Sequence, residues 1–156
     1  MQKELLMTTT QDSLRHSIKE MLNSQSLAVL ATNTGSSPYT SLVGFMASQD
    51  LKEIYFATFI NTHKYYNISK NSQISLLIDS RTNRADDFKN SSALTIIGDA
   101  EAVPHGQRDT LLSLYLDKFS HLQDFIGDPQ CALVRITVAK YILVQRFQEV
   151  FELIVQ

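Results

Sequence analysis

The stretch Ile54–Asp79, IYFATFINTHKYYNISKNSQISLLID, limits what this chain can fold into more than any other. Ile54-Tyr55-Phe56-Ala57 is a β-branched and aromatic run ending at Thr58, and Ile74-Ser75-Leu76-Leu77-Ile78 is a second strand-forming run. Between them, Thr62 to Asn71 fits a short polar helix, so the unit is strand, helix, strand. Thr62 is a suitable N-cap, and the free N–H groups of the next turn, with the helix dipole, create positive potential where His63 and Lys64 stand. Two hydroxyls (Thr58 and Thr62), one imidazole, one ammonium and those N–H groups form a donor set suited to the oxygens of a phosphate monoester. The same spacing permits a plainer outcome, in which Thr62 only caps the helix and Lys64 is solvated.

A chain of 156 residues makes one domain over 1–156, large enough for a real core but small for two. With 44% hydrophobic and 19% charged residues it is globular in composition, and its apolar runs fall far short of the ~20 residues that span a bilayer. Residues 1–11 read as a loose lead-in without the basic and apolar regions of a secretory signal, so a cytoplasmic location is expected. Fourteen basic against sixteen acidic residues, with neither sign blocked, argue against a nucleic-acid surface. Cys131, the single cysteine, has no disulfide partner and no company for a structural zinc; it is expected as a small buried group.

Asp12-Ser13 can cap an amphipathic helix to about Asn23 with Leu14, Ile18, Met21 and Leu22 on one face. Leu27–Thr32 is a short apolar run suited to a strand buried on both faces. Asn33-Thr34-Gly35-Ser36-Ser37-Pro38 is dense turn chemistry, so Tyr39–Ala47 returns as a hairpin with apolar residues on both faces. Gly44 in that strand marks either a bulge or room for a flat ligand. After Asp79, residues 81–91 are polar and aperiodic, a loop in which Arg81 and Arg84 are either solvated or meet an acidic substrate. Ala93–Val103 is a long strand with a possible bend at Gly98. A helix to about Lys118 follows, with Leu111, Leu112, Leu114 and Tyr115 largely buried. Cys131–Val138 alternates as a half-buried strand, Tyr141–Phe147 continues it or begins another, and Glu149–Val155 packs on the body or a partner.

Strand, Thr-x-x-x-Thr-His-Lys, Asn67-Ile68 and Asn71-Ser72-Gln73-Ile74-Ser75-Leu76-Leu77 together resemble the flavin-phosphate segment of the pyridoxamine 5'-phosphate oxidase-like family, the FMN-binding split barrels. Leu27–Thr32 with Tyr39–Met46 is similar to that family's first hairpin, and Leu94–Ala102 to its fifth strand; the likeness covers about Ser13 to Gln145. It implies an α+β fold, a six-stranded antiparallel split β-barrel with flanking helices. It also implies an FMN contacted by Ser41, Leu42, Val43 and Phe45 along the ring and by Ala57, Thr58, Thr62, His63 and Lys64 near the phosphate. The protein is then a homodimer with FMN at the subunit interface, Gln145 or Arg146 reaching across from the partner.

Departures from the family bear on the chemistry. His63 stands where the oxidase proper has a second basic residue, Val144 where an aromatic ring is expected against the flavin, and no Arg-x-His occurs, so oxidation of pyridoxamine phosphate itself is not expected. The histidines at 16, 63, 105 and 121 form no metal-binding spacing, and there is no nucleophile elbow, phosphate-binding Gly-rich loop or dinucleotide fingerprint. The expectation is a flavin-dependent oxidoreductase acting on a small molecule. The alternative is a non-catalytic module that binds or senses FMN, haem or a deazaflavin.

Overall fold

The computed structural model describes residues 2–35 and 37–156, apart from the side chains of residues 2–9. Helix α1 runs Gln2–Ser24, so most of the expected lead-in is helical, Met1 lying outside the described residues. No proline or glycine interrupts 2–11, and the β-branched Thr8-Thr9-Thr10 lowers helix propensity without breaking the helix. Ile18, Met21 and Leu22 of α1 are buried and Leu14 packs beside them, the face that the periodicity predicts.

The strands are β1 (Leu27–Thr32), β2 (Tyr39–Ala47), β3 (Glu53–Phe59), β4 (Gln73–Asp79), β5 (Ala93–Ala102), β6 (Cys131–Gln145) and β7 (Glu149–Ile154). The order is β3-β2-β1-β4-β5-β6-β7, every pair is antiparallel, and β3 also pairs with β6. Six strands therefore close into a barrel, and β7 is an added strand on β6. The expected turn between β1 and β2 is present, with Gly35 at φ +93 and Ser36 outside the described residues.

Between strands lie α2 (His63–Lys70), the single turn α3 (Asp87–Asn90), α4 (His105–Lys118), a 3-10 turn (Ser120–Leu122) and α5 (Gln123–Gly127). The barrel interior is filled by Leu30, Phe45, Ile54, Phe56, Leu76, Ile96 and Val134, with Ile18 of α1 in the same cluster. A second cluster lies outside the barrel, where Tyr115, Phe119 and Ile126 pack on Tyr55, Ala57, Cys131 and Leu133. Cys131 is buried, as expected, and burial pushes its thiol up. Leu114, expected inside, is 51% exposed.

β1 is not buried on both faces: Ala28, Leu30 and Thr32 point inward, while Leu27 is 53% exposed. The cause is topological, because β1 lies in a barrel wall with antiparallel neighbours rather than between two helical layers. Tyr141–Gln145 continues β6 through a bulge that skips Ala139, since Ile97 pairs with Lys140 but Gly98 with Val138. Gly98 is required there, as a Cβ would stand 2.3 Å from the Thr137 carbonyl oxygen.

Candidate functional site

The end of β3 leads through Thr62 into α2, and Thr62 has the extended backbone of an N-cap. Its Oγ1 donates to the Phe59 carbonyl at 2.8 Å and accepts from the Tyr65 N–H at 3.4 Å. A hydroxyl has one proton, so in its 3.1 Å contact with Thr58 it is Thr58 that donates. Both threonines are thereby committed to holding the β3–α2 corner. The backbone N–H groups of His63 and Lys64 have no partner among the described residues. With the Lys64 ammonium, they are the donors left open at this helix start.

Lys64 is half-buried and has no carboxylate partner among the described residues; burial alone holds its ammonium below the ordinary lysine value. His63 is exposed and stacks on Tyr39 of β2, centroids 4.4 Å apart and planes 14° apart, which ties the helix start to the hairpin. On the buried side of α2, Asn67 Nδ2 donates to Thr32 Oγ1 at 2.9 Å, and Asn71 Nδ2 to the Asn33 carbonyl at 2.9 Å. The helix is thus fastened to the last residue of β1 by Asn67, and its C-cap to the residue that follows β1 by Asn71.

Beside this corner the barrel is split. β3 pairs with β6 along its whole length, but with β2 only from Phe45↔Phe56 to Ala47↔Ile54. From Tyr39 to Gly44, β2 has β1 on one edge and, among the described residues, no strand on the other. Tyr115 of α4 stands at the point of divergence: its hydroxyl donates to the Gly44 carbonyl at 2.8 Å and is also met by the backbone of Ala57. Gly44 is neither a bulge nor bare space. A Cβ there would lie 3.2 Å from the Phe119 ring and 3.3 Å from the Tyr115 hydroxyl, so the missing side chain admits α4.

Thr58, Thr62, His63 and Lys64 are brought together, with Ala57 buried just before them. Of the β2 residues, Val43 and Phe45 turn their side chains into the core, leaving only their backbone for a ligand, and Leu42 is 63% exposed on the outer face. Ser41 Oγ is buried with no hydrogen-bond partner, as is Asn67 Oδ1. Gln145 and Arg146 are not brought to this corner within one chain. They stand at the far end of β6 from Ala132, the residue paired with Thr58. Tyr115, Tyr39 and Thr32 carry no site signal of their own in the sequence: Asn67 stands within the family-like segment, and Gly44, whose lack of a side chain admits Tyr115, is the one pointer to α4.

The family model of pyridoxamine 5'-phosphate oxidase matches residues 14–145. The chain belongs to the pyridoxamine 5'-phosphate oxidase family. No curated protein sequence matches it. Among solved structures of the same fold, Campylobacter jejuni ChuZ superposes with a TM-score of 0.78 at 17% identity, covering 91% of this chain and 59% of that one. A heme binding protein from Mycobacterium smegmatis gives 0.75 at 16%, over 86% of this chain and 55% of that one. A FAD-binding protein from Mesorhizobium loti gives 0.65 at 16%, over 81% and 89%. The chain therefore spans little more than half the length of the first two. In this member of the pyridoxamine 5'-phosphate oxidase family, the matched region begins within α1 and ends with β6, so the whole closed barrel lies inside it and β7 lies beyond.

Proposed function

We propose that this protein binds FMN in the split between β2 and β3 and acts as a flavin-dependent oxidoreductase on a small molecule. The observation that carries the reading is Lys64, a partly desolvated ammonium with no carboxylate beside it among the described residues and two open backbone N–H groups at the same helix start. Burying a cation without a partner is unfavourable, and a phosphate monoester there would offset the cost. The unpaired edge of β2 offers backbone groups to a flat ring, and Ser41 Oγ is a buried polar atom still lacking a partner for one. Thr58 and Thr62 shape the phosphate corner, and His63 lies at its rim on Tyr39. The flavin supplies the electron transfer, and the chain supplies position and electrostatics.

A homodimer belongs to the same proposal. On the outer wall Leu42, Val29, Leu77, Thr95 and Ile142 stand in one row across β2, β1, β4, β5 and β6 by strand register. Leu42 and Leu77 at 63% and 39% exposure need a cover that a second copy can provide by two-fold symmetry. Gln145 or Arg146 would then reach the partner's cofactor. Light scattering at low micromolar concentration tests this: a folded monomer that binds FMN tightly would exclude the shared site.

The second reading, a non-catalytic module for FMN, haem or a deazaflavin, is supported by the shared fold with the heme binding protein from Mycobacterium smegmatis. Titration of the apo-protein with FMN and with haem, followed by visible spectroscopy, separates the two. Saturable flavin binding, with bleaching of the flavin by a nicotinamide donor or reductase, supports the oxidoreductase. A Soret band with no flavin uptake would replace it by the second reading.

A further inference from the structure

We propose that Tyr115 is a positioning residue for the cofactor, its hydroxyl spliced into the β2–β3 ladder so that the edge of β2 stays free at a fixed width; this rests on flavin binding in that split. The ladder shows where the splice falls. The Ser48 N–H donates to the Glu53 carbonyl at 2.8 Å and Met46 is paired with Tyr55, so Gly44 and Ala57 are next in line to exchange backbone hydrogen bonds. The Phe45 N–H turns the other way, donating to the Ser26 carbonyl at 3.2 Å, and by alternation Gly44, Leu42 and Thr40 face the split.

Gly44 and Ala57 do not pair. The Tyr115 hydroxyl stands between them, donating to the Gly44 carbonyl at 2.8 Å and meeting the Ala57 N–H. A hydroxyl both donates and accepts, so it replaces one ladder bond by two in series, and strands that would lie ~4.8 Å apart are held wider. The same edge of β3 is engaged again at Phe59, whose carbonyl accepts from the Thr62 N–H at 3.3 Å and from the Thr62 hydroxyl at 2.8 Å. The split is therefore one-sided: β3 commits these groups to Tyr115 and Thr62, whereas Leu42 and Thr40 of β2 face, among the described residues, no strand. Two contacts fix the helix that carries the hydroxyl. The Phe119 ring, 3.2 Å from where a Gly44 Cβ would stand, takes the space of the missing side chain. Lys118 Nζ donates to the Gln25 carbonyl at 3.0 Å and lies 4.2 Å from the Phe45 ring centroid, tying α4 to the residue after α1 and to β2 one residue beyond Gly44. Tyr115 is 1% exposed and its hydroxyl is engaged by backbone on both sides, so it acts on a ligand through the strands.

The test titrates the full chain with FMN and with riboflavin, which share the ring and differ in the phosphate, and reads flavin fluorescence well below the unfolding midpoint. Tyr115→Phe keeps the phenyl ring and removes the splice, and it is expected to weaken both flavins by the same factor, about tenfold, through loss of a preorganised edge. Lys64→Ala is expected to weaken FMN alone. A Tyr115→Phe protein that loses stability yet binds both flavins as the parent does has lost only a structural contact, and that result overturns the proposal, as does a loss confined to FMN. A parent that binds neither flavin removes the flavin reading and this one with it. Amide hydrogen exchange in the parent decides the matter if the variant fails to fold or riboflavin binds too weakly to titrate: the Ala57 amide is expected to exchange slowly in the free protein, and the Leu42 amide quickly when free and slowly with FMN bound. A Leu42 amide already slow in the free protein, or an Ala57 amide that exchanges quickly, overturns the proposal.

Discussion

The Tyr115 hydroxyl donates to the Gly44 carbonyl oxygen at 2.8 Å across 71 residues of sequence, and it does so where β2 and β3 part company. Gly44 and Ala57 would be the next pair after Phe45 and Phe56, and the tyrosine meets the backbone of both. α4 thus holds the barrel open at its split. Tyr115→Phe is expected to leave the Gly44 carbonyl without its donor and to cost about 1–3 kcal/mol, read from urea unfolding. A variant as stable as the parent would show that the wedge carries no energy.

Lys64→Ala tests the anion corner directly. Removal of one charge-assisted contact of about 1.5–3 kcal/mol is expected to weaken FMN by roughly ten- to a hundredfold with the fold intact. Thermal stability without FMN is expected to hold or rise, since the partly desolvated ammonium has no carboxylate partner to lose among the described residues. Flavin fluorescence quenching measures the first and calorimetry the second. Equal affinity in parent and variant would remove the lysine from the site.

The two close-packed glycines are expected to differ when replaced by alanine. At Gly44 the new methyl meets the edge of the Phe119 ring at 3.2 Å, which can shift, so the cost is about 1–3 kcal/mol. At Gly98 it meets the Thr137 backbone carbonyl at 2.3 Å, which cannot yield without breaking the β5–β6 register, so more than about 3 kcal/mol is expected. Soluble yield and denaturant midpoints rank the pair, and a Gly98→Ala protein of parental stability would contradict the bulge geometry.

Alkali is expected to unfold the protein by a tyrosine-linked route. Burial pushes the Tyr115 hydroxyl up to about 12 from 10.0, and burial raises Tyr141, whose hydroxyl donates to the Leu51 carbonyl, further still. Above pH ~10 the unfolded chain releases phenolic protons that the folded chain keeps, so the unfolded state binds fewer protons and stability falls as pH rises. For Tyr115 alone the loss is on the order of 2 kcal/mol by pH 12. Denaturation midpoints from pH 8 to 12 should decline, with a shallower slope in Tyr115→Phe. Identical slopes would assign the decline to other groups.

Most of the barrel was legible in the chain because its signals are local. Alternation marked β6, turn residues marked the first hairpin, and Thr62 marked the start of α2, each from a handful of neighbouring residues. The strand-helix-strand unit at 54–79 was placed to within a residue or two for the same reason. What escaped was non-local or permissive. Nothing near Tyr115 announces Gly44, and the pairing that a glycine admits is visible only once α4 lies on the sheet. The two threonines were expected as anion donors, but both hydroxyl protons are spent within the corner, a bookkeeping that needs distances. α1 began earlier than its cap residues suggested, because a cap favours a start without forbidding helix before it.

Among the described strands β6 alone touches three others: it closes against β3 with its first half, lies along β5 for most of its length, and carries β7 on its second half. During synthesis, five strands exist before Cys131 leaves the ribosome, and none of them can close the wall. The growing chain therefore presents two raw sheet edges, β3 and β5, over the whole interval in which α4 and α5 are made. Those helices come before the closing strand in the sequence, and Tyr115 and Phe119 can shelter part of the β3 flank while it waits. The price of a barrel sealed by its penultimate strand is a vulnerable nascent state, so premature termination before residue 131 yields an open sheet primed to pair with its neighbours.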